Sequence, residues 1–199
     1  MNVINKHIID FINLIKRDQS IELYNEAGFQ HELGFYLKQK LSDNYTIQLE
    51  RNIEAIEGHK KFIKKELDIF IRHNKTNEKY CIEIKTPVNK QIPRIMQKSF
   101  QDIKFLEQLK SKGFKECFFI FLSLNKSFWN SPQKPERIYE YFNEPFAEFK
   151  TITENDVPPF IKKDAIKGVV VELDGEYEAE WDILRQDNKA DWRYFILHL

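Results

Sequence analysis

Ile4, Ile8, Phe11 and Ile15 recur at helical spacing with Lys and Asp between them, so residues 2–17 read as an amphipathic helix packed on the outside of the fold. A second helix is predicted from Asn25 to Leu41. Phe29, Leu33, Tyr36 and Leu37 form its apolar stripe, Glu32 lies at the margin of that stripe, and Asn25 stands where an N-cap belongs. The period then changes to two over Tyr45 to Ile53, which predicts a strand, followed by a turn rich in Gly and Lys. Two more short strands lie within Glu66 to Pro87. The segment from Ile92 to Gly113 returns to helical period, with Met96, Phe100, Ile103 and Leu106 on one face, Pro93 near its start and Gly113 past its end. Glu116 to Leu124 is almost unbroken apolar, the pattern of a strand covered on both faces.

The last third is less regular. A short helix is expected after Pro135, and a loop over residues 154–160. Segments 167–173 and 177–184 read as strands on either side of a turn at Asp174 and Gly175, and residues 191–199 as a closing strand.

A length of 199 residues suits one well-buried domain, and 42% hydrophobic with 31% charged residues excludes a disordered chain. Lys plus Arg equals Asp plus Glu at 31 each, so no global positive field announces a nucleic-acid partner. The basic clusters (His59 to Lys65; Lys85 with Lys90, Arg94 and Lys98; Leu109 to Lys115) read as solvated faces. Cys81 and Cys117 lack metal-ligand or disulfide spacing and read as reduced core thiols. With no run of 18 apolar residues and no leader pattern, the expected compartment is the cytoplasm, without a membrane partner.

The hairpin within Glu66 to Pro87 carries acids where a plain sheet needs none. Alternation sends Tyr80, Ile82 and Ile84 to one face, and Cys81, Glu83 and Lys85 to the other. It likewise separates Leu67, Ile69 and Ile71 from Asp68 and Phe70. With Asn74 to Asn77 as the loop, His73 pairs with Glu78, and counting back opposes Asp68 to Glu83. Like charges so placed are destabilising. A hard divalent cation such as Mg2+ compensates them, because it binds carboxylate oxygens and completes its shell with water and substrate phosphate. Lys85, two residues along on the same face, would then serve the attacking water or the scissile phosphate. The competing reading makes Asp68, Glu83 and Lys85 the wet outer face of a half-buried hairpin; Phe70 and Cys81 on that face argue against it.

Asp68 followed by Glu83-Ile84-Lys85 on the adjacent strand resembles the PD-(D/E)XK nuclease superfamily, and residues 25–124 follow the order of its core: helix, strand meander, helix, strand. Leu67 stands where that family often has Pro. The resemblance implies an α/β fold, a restriction endonuclease-like core with a mixed central β-sheet flanked by helices, and additional C-terminal β strands over residues 125–199. It implies a metal-dependent endonuclease acting on nucleic acid, DNA first, of the restriction or defence type. Asp68 and Glu83 would hold Mg2+, with Mn2+ as its substitute, Lys85 would act at the reacting phosphate, and Glu32 would support the metal from the first core helix, with Glu26 as second choice. A homodimer would let two sites cut both strands. The alternative is a nuclease-like module that binds nucleic acid or a protein partner without cutting.

Other candidates are weaker. The five histidines (His7, His31, His59, His73, His198) show no ligand spacing and read as surface or capping residues; Ser123 and Ser127 lack a nucleophile context. Gln101 and Asp102 read as a solvated helix face, and Trp129, Trp181 and Trp192 as packing residues.

Overall fold

Several helix ends fall where their end groups find partners. Asn2 Oδ1 accepts from Ile4 N at 3.0 Å to cap α1 (Val3–Arg17), and Asn25 Oδ1 accepts from Gly28 N at 2.8 Å to cap α2 (Glu26–Leu41). After α4 (Ile92–Ser111), Gly113 adopts φ +89° and lets Phe114 N reach Leu109 O, a closure that a residue with a Cβ resists. The computed structural model describes residues 2–58, 61–87, 92–130, 137–143, 149–153, 155–156, 171–186 and 191–199. Pro135, most of the loop expected at 154–160, residues 167–170 and the basic positions His59, Lys60 and Lys90 lie outside them.

The remaining elements are β1 (Tyr45–Asn52), the one-turn α3 (Glu54–Glu57), β2 (Glu66–His73), β3 (Lys79–Lys85), β4 (Glu116–Ser123), β5 (Phe149–Ile152), β6 (Val171–Tyr177), β7 (Asp182–Gln186) and β8 (Asp191–His198). Six strands form one mixed sheet in the order β1-β2-β3-β4-β8-β7, in which only β3 and β4 run parallel, joined by α4. The protein is thus an α/β fold with a mixed sheet flanked by helices. C-terminal strands β8 and β7 extend the sheet, while β5 and β6 form a two-stranded sheet packed on α4.

Both faces of the sheet are covered. On one, Ile69, Ile71, Ile82, Ile84, Phe118 and Ile120 pack with the apolar stripes of α1 and α2. Gly34 permits the close seat of α2 on β1, since a Cβ there would stand 2.9 Å from Leu49 Cδ2. On the other face, Phe70, Cys81, Phe119 and Phe121 meet Met96, Phe100, Ile103 and Leu106 of α4, all four of the helix positions expected from the period. β4 is buried from Cys117 to Ser123, as an apolar run in a central strand demands. The three tryptophans are core residues, and Trp181 Nε1 donates to Phe142 O at 2.7 Å. Cys81 and Cys117 are free, buried neighbours on β3 and β4.

Three expectations are corrected. Asp174 and Gly175 form no turn: they lie within β6, because Glu107 Oε2 accepts from Asp174 N at 2.9 Å and Glu107 Oε1 from Gly175 N at 2.7 Å, and β6 pairs with β5 instead of β7. The helix expected after Pro135 is, in its described part, a single 3-10 turn, Arg137–Tyr139. Leu67 joins the α4-side core with Phe70 instead of sharing the face of Ile69 and Ile71. The alternation is interrupted at Asp68: Glu50, across from it, takes a left-handed φ of 49°, and no Glu50–Asp68 pair forms between Leu49–Ile69 and Arg51–Leu67.

Candidate active site

The β2–β3 hairpin closes as its loop chemistry dictates. His73 N donates to Glu78 O at 2.9 Å, Asn77 sits at φ +58°, and the ladder runs from Arg72–Lys79 to Ile69–Ile82. One step further, the same register sets Asp68 against Glu83, but there the strands part. Asp68 Oδ2 takes the Ile84 N–H at 2.7 Å, and Gln30 Nε2 from α2 donates to Asp68 O at 2.6 Å. The aspartate side chain thus replaces a backbone rung, and its own carbonyl is held by a helix.

Into this opening come four carboxylates and two ammonium groups. Glu83 is fully buried, which removes the wet-hairpin reading for it. Lys64, from the segment before β2, places Nζ 2.5 Å from Glu83 Oε2 and 2.6 Å from Asp102 Oδ1 of α4. Lys85 Nζ lies 3.3 Å from Asp102 Oδ2 and 3.4 Å from Glu26 Oε1, and Glu26 Oε2 accepts from Thr86 N at 3.0 Å. Asp102 and Lys64 are corrections to their expected solvated settings: both are drawn inward because Glu83 and Lys85 are buried and need counter-charges.

Of the two α2 acids, the structure brings Glu26 to the cluster. Glu32 has a side chain 48% exposed, beside His31 at 4.0 Å, and is not brought to the cluster. Glu26, Gln30, Leu33 and Leu37 share one helical face at spacings of four, three and four; that face turns to the sheet, and Glu32 falls about 120° away from it.

Electrostatics follow the crowding. Burial pushes the Asp68 carboxyl up from 3.8 to about 6, against the pull of Lys64 and the Ile84 N–H. Burial, then the Asp68 charge, hold Glu83 well above the ordinary glutamate range. For Lys64 and Lys85 burial works the other way, yet neighbouring carboxylates, Asp102 foremost, outweigh it and keep both protonated. Among the described residues Glu83 Oε1 is buried with no hydrogen-bond partner, and Asp102 Oδ2 faces Lys85 without making a hydrogen bond.

A pH test follows. The folded state holds the Asp68 proton more tightly than the unfolded chain, so this group costs stability as pH rises from about 4 to about 6 and nothing further above that. In metal-free melting curves, Asp68→Asn should gain on wild type across that interval. A constant difference between the two would contradict the raised pKa.

Further along the same sheet end, beyond Phe121, the partner of Lys85, Ser123 pairs with Arg193. There Lys126, Trp129, Asn130, Asp191 and Arg193 line a polar cavity of about 250 Å³. Among the described residues no three of His, Cys, Asp and Glu converge as a ready metal cage, and no helix is long and apolar enough to cross a membrane. Compared with protein-family models, curated proteins and solved structures, the chain matches none.

Proposed function

We propose that the protein is a divalent-metal-dependent endonuclease that hydrolyses phosphodiester bonds in DNA, of the restriction or defence type, on a PD-(D/E)XK core over residues 25–124. The observation that carries this reading is the crowding where β2 and β3 part: Glu83 and Lys85 both feel the Asp68 charge, and a fully buried Glu83 oxygen is left without a partner. Buried polar atoms are almost always satisfied, and a carboxylate oxygen left bare beside a second carboxylate is a donor suited to a hard cation. Asp68 and Glu83 are the residues that would hold Mg2+ or Mn2+; two carboxylates suffice for such an ion when water and phosphate supply the rest. When bound, the ion supplies charge stabilisation at the phosphoryl group and activation of water.

The chain's own groups do the rest. Gln30 anchors the Asp68 carbonyl, so the carboxyl keeps its position as the strands diverge. Lys85 Nζ donates to Glu26 Oε1 at 3.4 Å and faces Asp102 Oδ2 at 3.3 Å without a hydrogen bond, which leaves the ammonium donors able to bond a phosphate oxygen or the attacking water. Burial strengthens that charge by lowering the effective dielectric. Lys126 offers a cation for a neighbouring backbone phosphate at the same end of the sheet, beside Arg193, which pairs with Asp191 at 3.5 Å.

The test is incubation with supercoiled and linear DNA, with Mg2+, with Mn2+ and with chelator. Metal-dependent cutting is expected. Glu26→Ala should lose it at least about tenfold, while exposed Glu32→Ala should stay near wild type. Loss in Glu32→Ala with Glu26→Ala near wild type would return the supporting role to Glu32. A second reading, a nuclease-like module that binds without cutting, is favoured by the Lys64 ammonium, which neutralises the acids with no metal. It predicts no cutting and no saturable rise in melting temperature with Mg2+ or Mn2+.

A further inference from the structure

We infer that Lys64 is an intramolecular competitor for the divalent cation, holding the acid cluster through Glu83 until the metal takes its place. The inference rests on the metal-dependent reading above and adds to it a residue that sets the metal concentration the site needs.

Lys64 comes from the segment between α3 and β2, outside the strand pair that carries Asp68 and Glu83. Its Nζ is 2.5 Å from Glu83 Oε2 and 2.6 Å from Asp102 Oδ1, so it bridges a β3 carboxylate and an α4 carboxylate as a cation would. The Lys64 side chain is 26% exposed, against 0% for Glu83 and 5% for Asp102, so the ammonium is the group with a way out. Its segment is tied to α4 by Ile63 N donating to Gln108 Oε1 at 2.9 Å, an exposed bond easily exchanged for water.

An ammonium satisfies this site only in part. It donates along fixed tetrahedral directions and meets one oxygen of each carboxylate, and Glu83 Oε1 stays bare among the described residues. Glu26, Asp68, Glu83 and Asp102 against Lys64 and Lys85 give four negative charges to two positive when all are ionised. A divalent ion held by Glu83 would share that carboxylate with Lys64, and like charges on one buried carboxylate repel strongly. Metal and Lys64 therefore oppose each other at Glu83, and the one weakens the hold of the other by the same factor.

Titration calorimetry with MnCl2 on the full chain, without DNA, tests this. Lys64→Met should bind Mn2+ at least about tenfold more tightly than wild type, whereas Lys64→Arg, which keeps the charge, should not. Lys64→Gln, whose amide can still donate to one carboxylate, serves if the Met variant does not fold, and the same gain is expected. Equal or weaker Mn2+ binding in the neutral variants, with wild type binding, overturns the inference and leaves the nuclease reading standing. Mn2+ binding by neither wild type nor neutral variants overturns both.

Discussion

If the protein is the proposed nuclease, Lys85→Met is expected to slow its Mg2+-dependent DNA cleavage by about 10²–10³-fold, the usual cost of removing one group aimed at developing charge in a buried site. The methionine keeps the stem's packing, so the loss is one of charge and hydrogen bonding. The fold should survive, because Asp102 retains Lys64 at 2.6 Å and Glu26 retains the Thr86 N–H at 3.0 Å. Each carboxylate freed by the substitution therefore keeps a partner. Initial rates on supercoiled DNA, read beside melting curves, check it. A well-folded Lys85→Met protein that cuts at the wild-type rate would remove Lys85 from the reaction.

The second large effect concerns what holds the site's strand in place. Phe121→Ala should destabilise the protein by about 3–5 kcal/mol, the range for an emptied aromatic core position. Phe121 is fully buried on β4, directly beside Lys85 of β3. Its ring stacks on Phe195 at 5.3 Å and meets Phe128 at 5.1 Å, Trp181 at 5.6 Å and Phe142 at 5.8 Å. These partners come from β8, the 3-10 turn after β4 (Lys126–Phe128) and the segments on either side of β5 and β6, so no single neighbour can relax to fill the gap. Urea unfolding should show a lower midpoint at an unchanged slope. A loss under about 1 kcal/mol would mean that the aromatic cluster is loosely packed.

What the chain reveals unaided are the features set by neighbours in sequence. Asn25 caps α2 because its side chain reaches a backbone N–H three residues on. The His73–Glu78 closure, and with it the register that carries Asp68 toward Glu83, follows from a four-residue loop with Asn77 in the left-handed region. The α4 stripe and the doubly covered β4 follow from period and from an unbroken apolar run. Asp68, Glu83 and Lys85 are therefore legible in the sequence as one hairpin cluster.

Tertiary structure alone decided the rest, because charge partners are chosen by distance in space. Lys64 and Asp102 lie 19 residues on either side of Glu83 and looked like solvated positions; burial of Glu83 calls for compensating cations, and burial of Lys85 for an anion. The choice of Glu26 over Glu32 depends on the rotation at which α2 docks, which Gly34 against Leu49 and Gln30 on Asp68 set together. Leu67 changes face next to Asp68, where the rung to Glu50 is missing and the Asp68 side chain and carbonyl accept from Ile84 N and Gln30 instead. Asp174 and Gly175 extend a strand because Glu107, 67 and 68 residues earlier, takes their N–H groups. Local periodicity and loop chemistry put the acids on one hairpin; only the packing of helices over both faces of the sheet determined which charges answer them, since a buried charge must find its partner wherever the fold brings one.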